Sequence, residues 1–173
     1  MTVAAKRIDA KFQLLDAVKQ TVLVAQVVSS TDRQLRAIGH RVADLIYEKL
    51  TGDKGVFSTR IAYVNRQGKK FRLVVADSDG QNEQVLLTQN APIISPAWSP
   101  DGSSLSYVSF ETGHAVVYVQ SLHNSQRKVL ADFRGSNSAP AWSPQGDQLA
   151  IVLSRDGSSQ IYFVSPEGKD LRR

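Results

Sequence analysis

Apolar positions along this chain change their period once, near residue 30. Residues 11–28, KFQLLDAVKQTVLVAQVV, are dominated by aliphatic and β-branched side chains and read as two short strands broken near Lys19-Gln20. In TDRQLRAIGHRVADLIYEKLTG, by contrast, Leu35, Ile38, Val42, Leu45, Ile46 and Leu50 recur at helical spacing. Thr31 with Gln34 three residues on resembles a capping box, Asp32 suits the positive first turn, and Gly52 suits the C-terminal cap. The pattern predicts a helix over residues 31–51 laid on a small sheet.

After Gly52 the helical period stops, and short strand-like runs follow, separated by Gly, Asp, Ser and Pro. These runs repeat. PAWSPDGSSLSYVSFETGHAVVYV starts at Pro96 and PAWSPQGDQLAIVLSRDGSSQIYF at Pro140, 44 residues later with no gap. Trp98, Ser99, Pro100, Gly102, Leu105, Val108, Gly113 and Tyr118 align with Trp142, Ser143, Pro144, Gly146, Leu149, Val152, Gly157 and Tyr162. One period earlier, Ile61-Ala62-Tyr63-Val64 falls under Leu105-Ser106-Tyr107-Val108, but Lys54-Gly55-Val56-Phe57-Ser58 stands where the PAWSPDG word belongs.

One copy can be read physically. Ala97-Trp98-Ser99 is a strand, Pro100 sets φ for the turn, and Gly102 supplies positive φ. Leu105–Phe110, Ala115–Leu122 and Arg127–Phe133 follow as three more strands. Four antiparallel strands in a period of about 40–45 residues describe a β-propeller blade. Blades stack face to face, so the recurring Trp and Tyr are expected to fill the core between them. The expected fold class is an α+β remnant, two strands and one helix over 1–52. An incomplete all-β propeller of WD40-like four-stranded blades follows over 53–173, with copies at about 53–92, 93–136 and 137–173.

Composition narrows the function classes. At 42% hydrophobic and 21% charged over 173 residues the chain is ordinary globular protein. It holds no run approaching about 18 apolar residues, so no transmembrane helix and no direct membrane insertion are expected. The opening MTVAAKRIDAKF lacks the apolar stretch of a secretory signal. Without Cys there are no disulfides, thiolate metal ligands or Cys nucleophiles. The net charge of +5 comes from scattered pairs such as Lys69-Lys70, Arg127-Lys128 and Arg172-Arg173. Nucleic-acid binding needs such charge clustered on one face, so a solvated basic surface is the expectation.

Motifs for chemistry are thin. His40, His114 and His123 form no H-E-x-x-H pattern or ligand cluster. Asp77-Ser78-Asp79-Gly80 starts like an EF-hand loop but does not continue as one, and reads as a turn. Gly102-Ser103-Ser104 and Gly157-Ser158-Ser159 begin but never complete a nucleophile elbow, and recurrence at the blade period argues for structure. No P-loop is present. No catalytic, cofactor-binding or metal residue is expected.

The blade words resemble the WD40-like repeats of the TolB family and of the propellers attached to prolyl-oligopeptidase-type serine peptidases. The link TGDKGVFSTRIAYV, preceded by HRVADLIYEKL, is similar to the TolB family where its small α/β domain meets the first blade. GSNSAPAWSPQGDQLAIVLSRDGSSQIYF fits the same family.

That resemblance implies a non-catalytic periplasmic scaffold of the Tol-Pal system, serving outer-membrane integrity and envelope constriction in division. It implies Pal, the peptidoglycan-associated lipoprotein, as partner on the propeller face, and TolA through an N-terminal segment this chain does not contain. It also places Ser136, Asn137 and Ala139 toward the partner; the residues themselves equally allow a plain polar turn between blades. The family further implies a signal peptide, a longer N-terminal domain and six blades. The chain is therefore expected to be a fragment, stopping at Leu171-Arg172-Arg173 where the last copy's fourth strand should begin. Its open strand edges would leave it marginal or self-associating in isolation. The alternative, a propeller fragment of a prolyl-oligopeptidase-type peptidase, requires a G-x-S-x-G, Asp and His further along the reading frame.

Overall fold

A computed structural model describes residues 6–173; residues 1–5, part of the stretch read above for a leader, lie outside the described residues. The chain divides into two compact units. One runs up to Ile61 and takes in Asp77–Gln81, and the other comprises Ala62–Ala76 and Asn82–Arg173.

In the first unit, β1 (Arg7–Asp16) and β2 (Thr21–Thr31) pair antiparallel from Arg7↔Thr31 to Asp16↔Thr21. Both strands are longer than residues 11–28 suggested, because polar positions alternate with half-buried Ile8, Ala10, Phe12 and Leu14. The break does fall at the expected place. Asp16 Oδ1 accepts the amides of Val18 (3.0 Å) and Lys19 (2.9 Å), and Gln20 takes φ 53°.

A 3₁₀ turn, Asp32–Gln34, leads into helix α1 (Leu35–Thr51). The capping box does not form. Thr31 is the last residue of β2, paired with Arg7, and its hydroxyl caps nothing. Gln34 Oε1 instead accepts the hydroxyl of Ser30 at 2.8 Å. The C-terminal expectation holds: Gly52 is left-handed at φ 82° and its amide donates to Glu48 O. Helix α1 packs on β2 and β1, burying Ile38 and Asp44, while Leu35 and Leu50 stay 58% and 62% exposed.

Three antiparallel sheets follow. The first copy supplies β3 (Arg60–Gln67), β4 (Lys70–Asp77) and β5 (Gln84–Gln89), without a strand in the slot that lacks the PAWSPDG word. The second is the complete blade: β6 (Ile93–Trp98), β7 (Ser104–Ser109), β8 (Val116–Ser121) and β9 (Arg127–Ala131). The third has β10 (Asn137–Trp142), β11 (Leu149–Leu153) and β12 (Gln160–Val164), and a fourth strand begins as the antiparallel bridge Phe163↔Arg172.

Within the second unit the blades stack through two cores. Leu73 of β4 packs with Ile93, Tyr107, Val116 and Tyr118; Val108, Val117, Leu130 and Ala131 pack with Leu149, Ile151, Leu153, Tyr162 and Val164. Neighbours Tyr107 and Val108 enter opposite cores, as strand alternation requires. Repeat-related Tyr118 and Tyr162 each face the preceding copy, and Trp142 packs half-buried against the second core.

Polar ties thread these cores. The Tyr107 hydroxyl donates to Gln120 Oε1 at 2.9 Å, and burial pushes that hydroxyl's pKa far above the phenol range. The Arg127 guanidinium lies 3.7 Å from the centre of the Tyr118 ring and binds Glu111 through both terminal nitrogens.

The repeated hairpin turn is organised by its serine. Ser99 Oγ donates to Asp101 Oδ1 (2.6 Å) and accepts the Ser104 amide (2.9 Å). In the next copy Gln145 stands where Asp101 would be, and Asp147 takes the Ser143 hydroxyl instead, also at 2.6 Å. Gly102 and Gly146 both carry positive φ, 67° and 77°.

Candidate functional site

The three residues singled out in the sequence lie where the β9–β10 connection enters the strand: Ser136 precedes β10, and Asn137 and Ala139 are its first and third residues. Asn137 is fully buried. Its Oδ1 accepts the Phe133 amide (2.9 Å), and its Nδ2 donates to the carbonyls of Phe133 (2.8 Å) and Ala115 (3.0 Å). With every polar atom engaged, this side chain fastens the connection from inside and presents nothing to the surface.

Ser136 and Ala139 are exposed. Ser136 is locked through its backbone, its amide donating to Ser154 Oγ (2.7 Å) and its carbonyl accepting the Ser154 amide (3.1 Å). Gly135 makes this approach possible: at φ 89°, a Cβ there would stand 2.5 Å from Ser154 Oγ and 3.3 Å from the Ser154 carbonyl. The Arg155 guanidinium covers the Phe133 ring at 4.8 Å. Ala139 sits in the bulge between Ser138 and Ala141, with φ 49°. Ser136 and Ala139 are thus small, exposed side chains on a backbone held by these bonds, with the exposed charges of Asp132, Arg134 and Arg155 nearby in the chain or clamped to the same segment. Ser154 lies 18 residues from Ser136 in the chain, so no local pattern announces it.

The histidines fall into unlike settings. His114, on the turn before β8, places Nε2 2.6 Å from Asp132 Oδ1, with Thr112 Oγ1 3.4 Å from Nδ1. His114 and Asp132 are half exposed, with side chains 51% and 46% accessible, so the hydroxyl–imidazole–carboxylate sequence stands in water on a turn.

His40 of α1 meets the turn after β4, where the sequence showed no ligand cluster. The ligand atoms of His40, Asp77 and Asp79 lie within 4.8 Å of one another. Arg36 shares that space: it binds Asp79 through Nη2, with Nε 3.9 Å from Asp77 Oδ2, and His40 Nε2 is 3.4 Å from Asp79 Oδ2. The Gln81 amide, with the charge of Arg36, holds the Asp79 carboxyl below the usual carboxylate range. A guanidinium already supplies the cation these carboxylates attract. Asp77–Gly80 is the turn the sequence predicted, closed by Gly80 N–H to Asp77 O at 2.9 Å.

Comparison with known proteins fits this arrangement. Residues 47–173 match the family described as TolB beta propeller domain. The Tol-Pal system protein TolB of Bordetella avium is 57% identical over 162 residues, covering 94% of this chain and 37% of that protein. The crystal structure of TolB from Acinetobacter baumannii superposes with a TM-score of 0.90 at 36% identity, covering 100% of this chain and 44% of that one. A puromycin-hydrolyzing peptidase of Mycobacterium tuberculosis superposes with a TM-score of 0.51 at 21% identity, covering 66% of this chain and 20% of its own, a likeness of fold alone. This chain therefore spans a little over a third of the Bordetella relative's length. With the helix, the 44-residue repeat and the propeller match in agreement, the chain belongs to the TolB β-propeller family.

Proposed function

We propose that this chain is part of a non-catalytic docking scaffold of the Tol-Pal system, acting in the periplasm, and that the β9–β10 connection forms part of the surface that binds Pal. Ser136 and Ala139 make contact; Asn137 holds them in place from beneath. TolA engages a segment outside this chain, and the assembly serves outer-membrane integrity and envelope constriction.

The observation that carries this reading is the locked connection. A surface loop fastened by a fully buried Asn137 and by the paired bonds to Ser154 is ordered before a partner arrives, which lowers the entropy lost on docking. The test is capture of full-length protein on the soluble domain of Pal, using Ser136→Arg and Ala139→Asp. Each is expected to weaken capture with folding intact; binding equal to wild type in both variants would remove these residues from the docking surface.

A further inference from the structure

The hairpin turns of the second and third copies share a closing backbone bond, Ser99 N–H to Ser104 O and Ser143 N–H to Gln148 O, both 2.9 Å. The turns stand side by side: a Cβ on Gly146 would lie 3.5 Å from Pro100 Cδ. Between them opens a cleft of ≈ 570 Å³, lined also by Pro166 and Glu167 of the turn after β12. That is the size of a small-molecule site. It lies at the far end of β10 from Ser136, because β10 runs from Asn137 to Trp142 before the turn begins.

Most polar atoms of the two turns are committed internally. Asp101 accepts the Ser99 hydroxyl (2.6 Å) and the Ser103 amide (3.0 Å), and Asp147 accepts the Ser143 hydroxyl (2.6 Å). With Asp147 in that role, the third copy's turn needs no carboxylate at position 145, and Gln145 lines the cleft instead. Three groups of the lining stay unengaged among the described residues: the Gln145 amide, the Glu167 carboxylate and the buried indole N–H of Trp142. A buried donor without an acceptor is destabilising, and an acceptor brought to it relieves the loss.

These groups select the ligand. An anion would meet Asp101 and Glu167 and no cation along the cleft. A simple cation would satisfy the carboxylates but offer nothing to the Trp142 N–H. A neutral ligand bearing hydroxyls both donates and accepts, and so answers all three groups. Pro100, Pro144, Pro166 and the indole supply apolar surface for the C–H face of a sugar ring. We propose that the cleft between the two turns binds a neutral saccharide, with Glu167 and Gln145 bonding its hydroxyls and Trp142 donating to one of its oxygens.

The test titrates full-length protein with glucose, N-acetylglucosamine and maltose, following the assigned indole N–H signal of Trp142 by NMR. At least one of them is expected to shift that signal saturably, with a Kd of about 1 mM. Gln145→Ala and Glu167→Ala remove no bond of the fold, and each should weaken that binding about fivefold. No saturable shift with any of the three sugars overturns the proposal. So does a sugar affinity that both variants leave within about twofold of wild type. Glycine and ethylammonium are titrated in parallel. If either shifts the signal while the sugars do not, the cleft takes a zwitterion or a cation and the saccharide assignment falls.

Discussion

Asp44 and Gly55 approach so closely that a Cβ on Gly55 would stand 2.3 Å from Asp44 Oδ1 and 2.6 Å from Asp44 Cα. The contact brings the segment after α1 back onto the helix, where Asp44 accepts the amides of Phe57 (2.7 Å) and Ser58 (3.1 Å). Burial raises the Asp44 carboxyl, but hydrogen bonds from Ser58 and Phe57 outweigh it and hold the group below the usual range. Residues 44 and 55 both belong to the stretch that most specifically resembled the family, HRVADLIYEKLTGDKGVFSTRIAYV.

Gly55→Ala is expected to destabilise the first unit by at least about 2 kcal/mol, because the colliding atoms include backbone that cannot move aside. Asp44→Ala should cost about 2–4 kcal/mol by leaving two amides without an acceptor. Urea unfolding followed through the first unit checks both, and a midpoint unchanged in Gly55→Ala would refute the close approach.

Asp101 links stability to acid. The Ser99 hydroxyl, then the Ser103 amide, hold its carboxyl down to about 2, against about 3.9 for an unfolded Asp. A depressed folded value means that the stabilising contribution is complete above about pH 4 and is lost as pH falls through about 2. Carboxyl-carbon NMR should show Asp101 titrating near 2. Asp101→Asn should flatten the stability-versus-pH curve between those limits, and identical slopes in the two proteins would count against the Ser99–Asp101 bond.

Asn137→Leu keeps the side chain's bulk and removes its bonding, leaving the Phe133 amide and the Phe133 and Ala115 carbonyls unpaired inside the protein. A loss of about 3 kcal/mol is expected, together with faster hydrogen exchange at the Ser136 amide. Unaltered exchange at Ser136 would show that Asn137 does not hold the connection.

Arg127 ties Glu111 to the Tyr118 ring. Arg127→Ala should lose about 2 kcal/mol, and Arg127→Lys about half of that, since an ammonium keeps the charge but neither the fork nor the flat stacking surface. Equal stability for Lys and Arg, measured by chemical unfolding, would mean that only charge matters there.

Much of the architecture was readable along the chain because it rests on local chemistry. The 44-residue period, the glycines at left-handed turns and Gly52 at the end of α1 all report conformations decided within a few residues. The N-terminal cap of α1 failed as an expectation because Thr31 satisfies the strand first: its pairing with Arg7 spans 24 residues and is invisible in a window of four. The compensating exchange of Asp101 for Asp147 around Ser99 and Ser143 likewise appears only once the two turns are compared in space.

The candidate surface divides in the same way. The blade repeat, the turns between strands and the place where the chain passes from β9 into β10, with Ser136, Asn137 and Ala139, are legible in the residue order. The inward turn of Asn137, the clamp of Ser154 on Ser136 and the meeting of His40 and Arg36 with Asp79 emerge from packing between distant segments. Turn and strand preferences are properties of neighbouring φ and ψ angles, which residue type biases directly. A hydrogen-bond partner 18 or 43 residues away is chosen by how the sheets and the helix pack, and that choice is made by the fold.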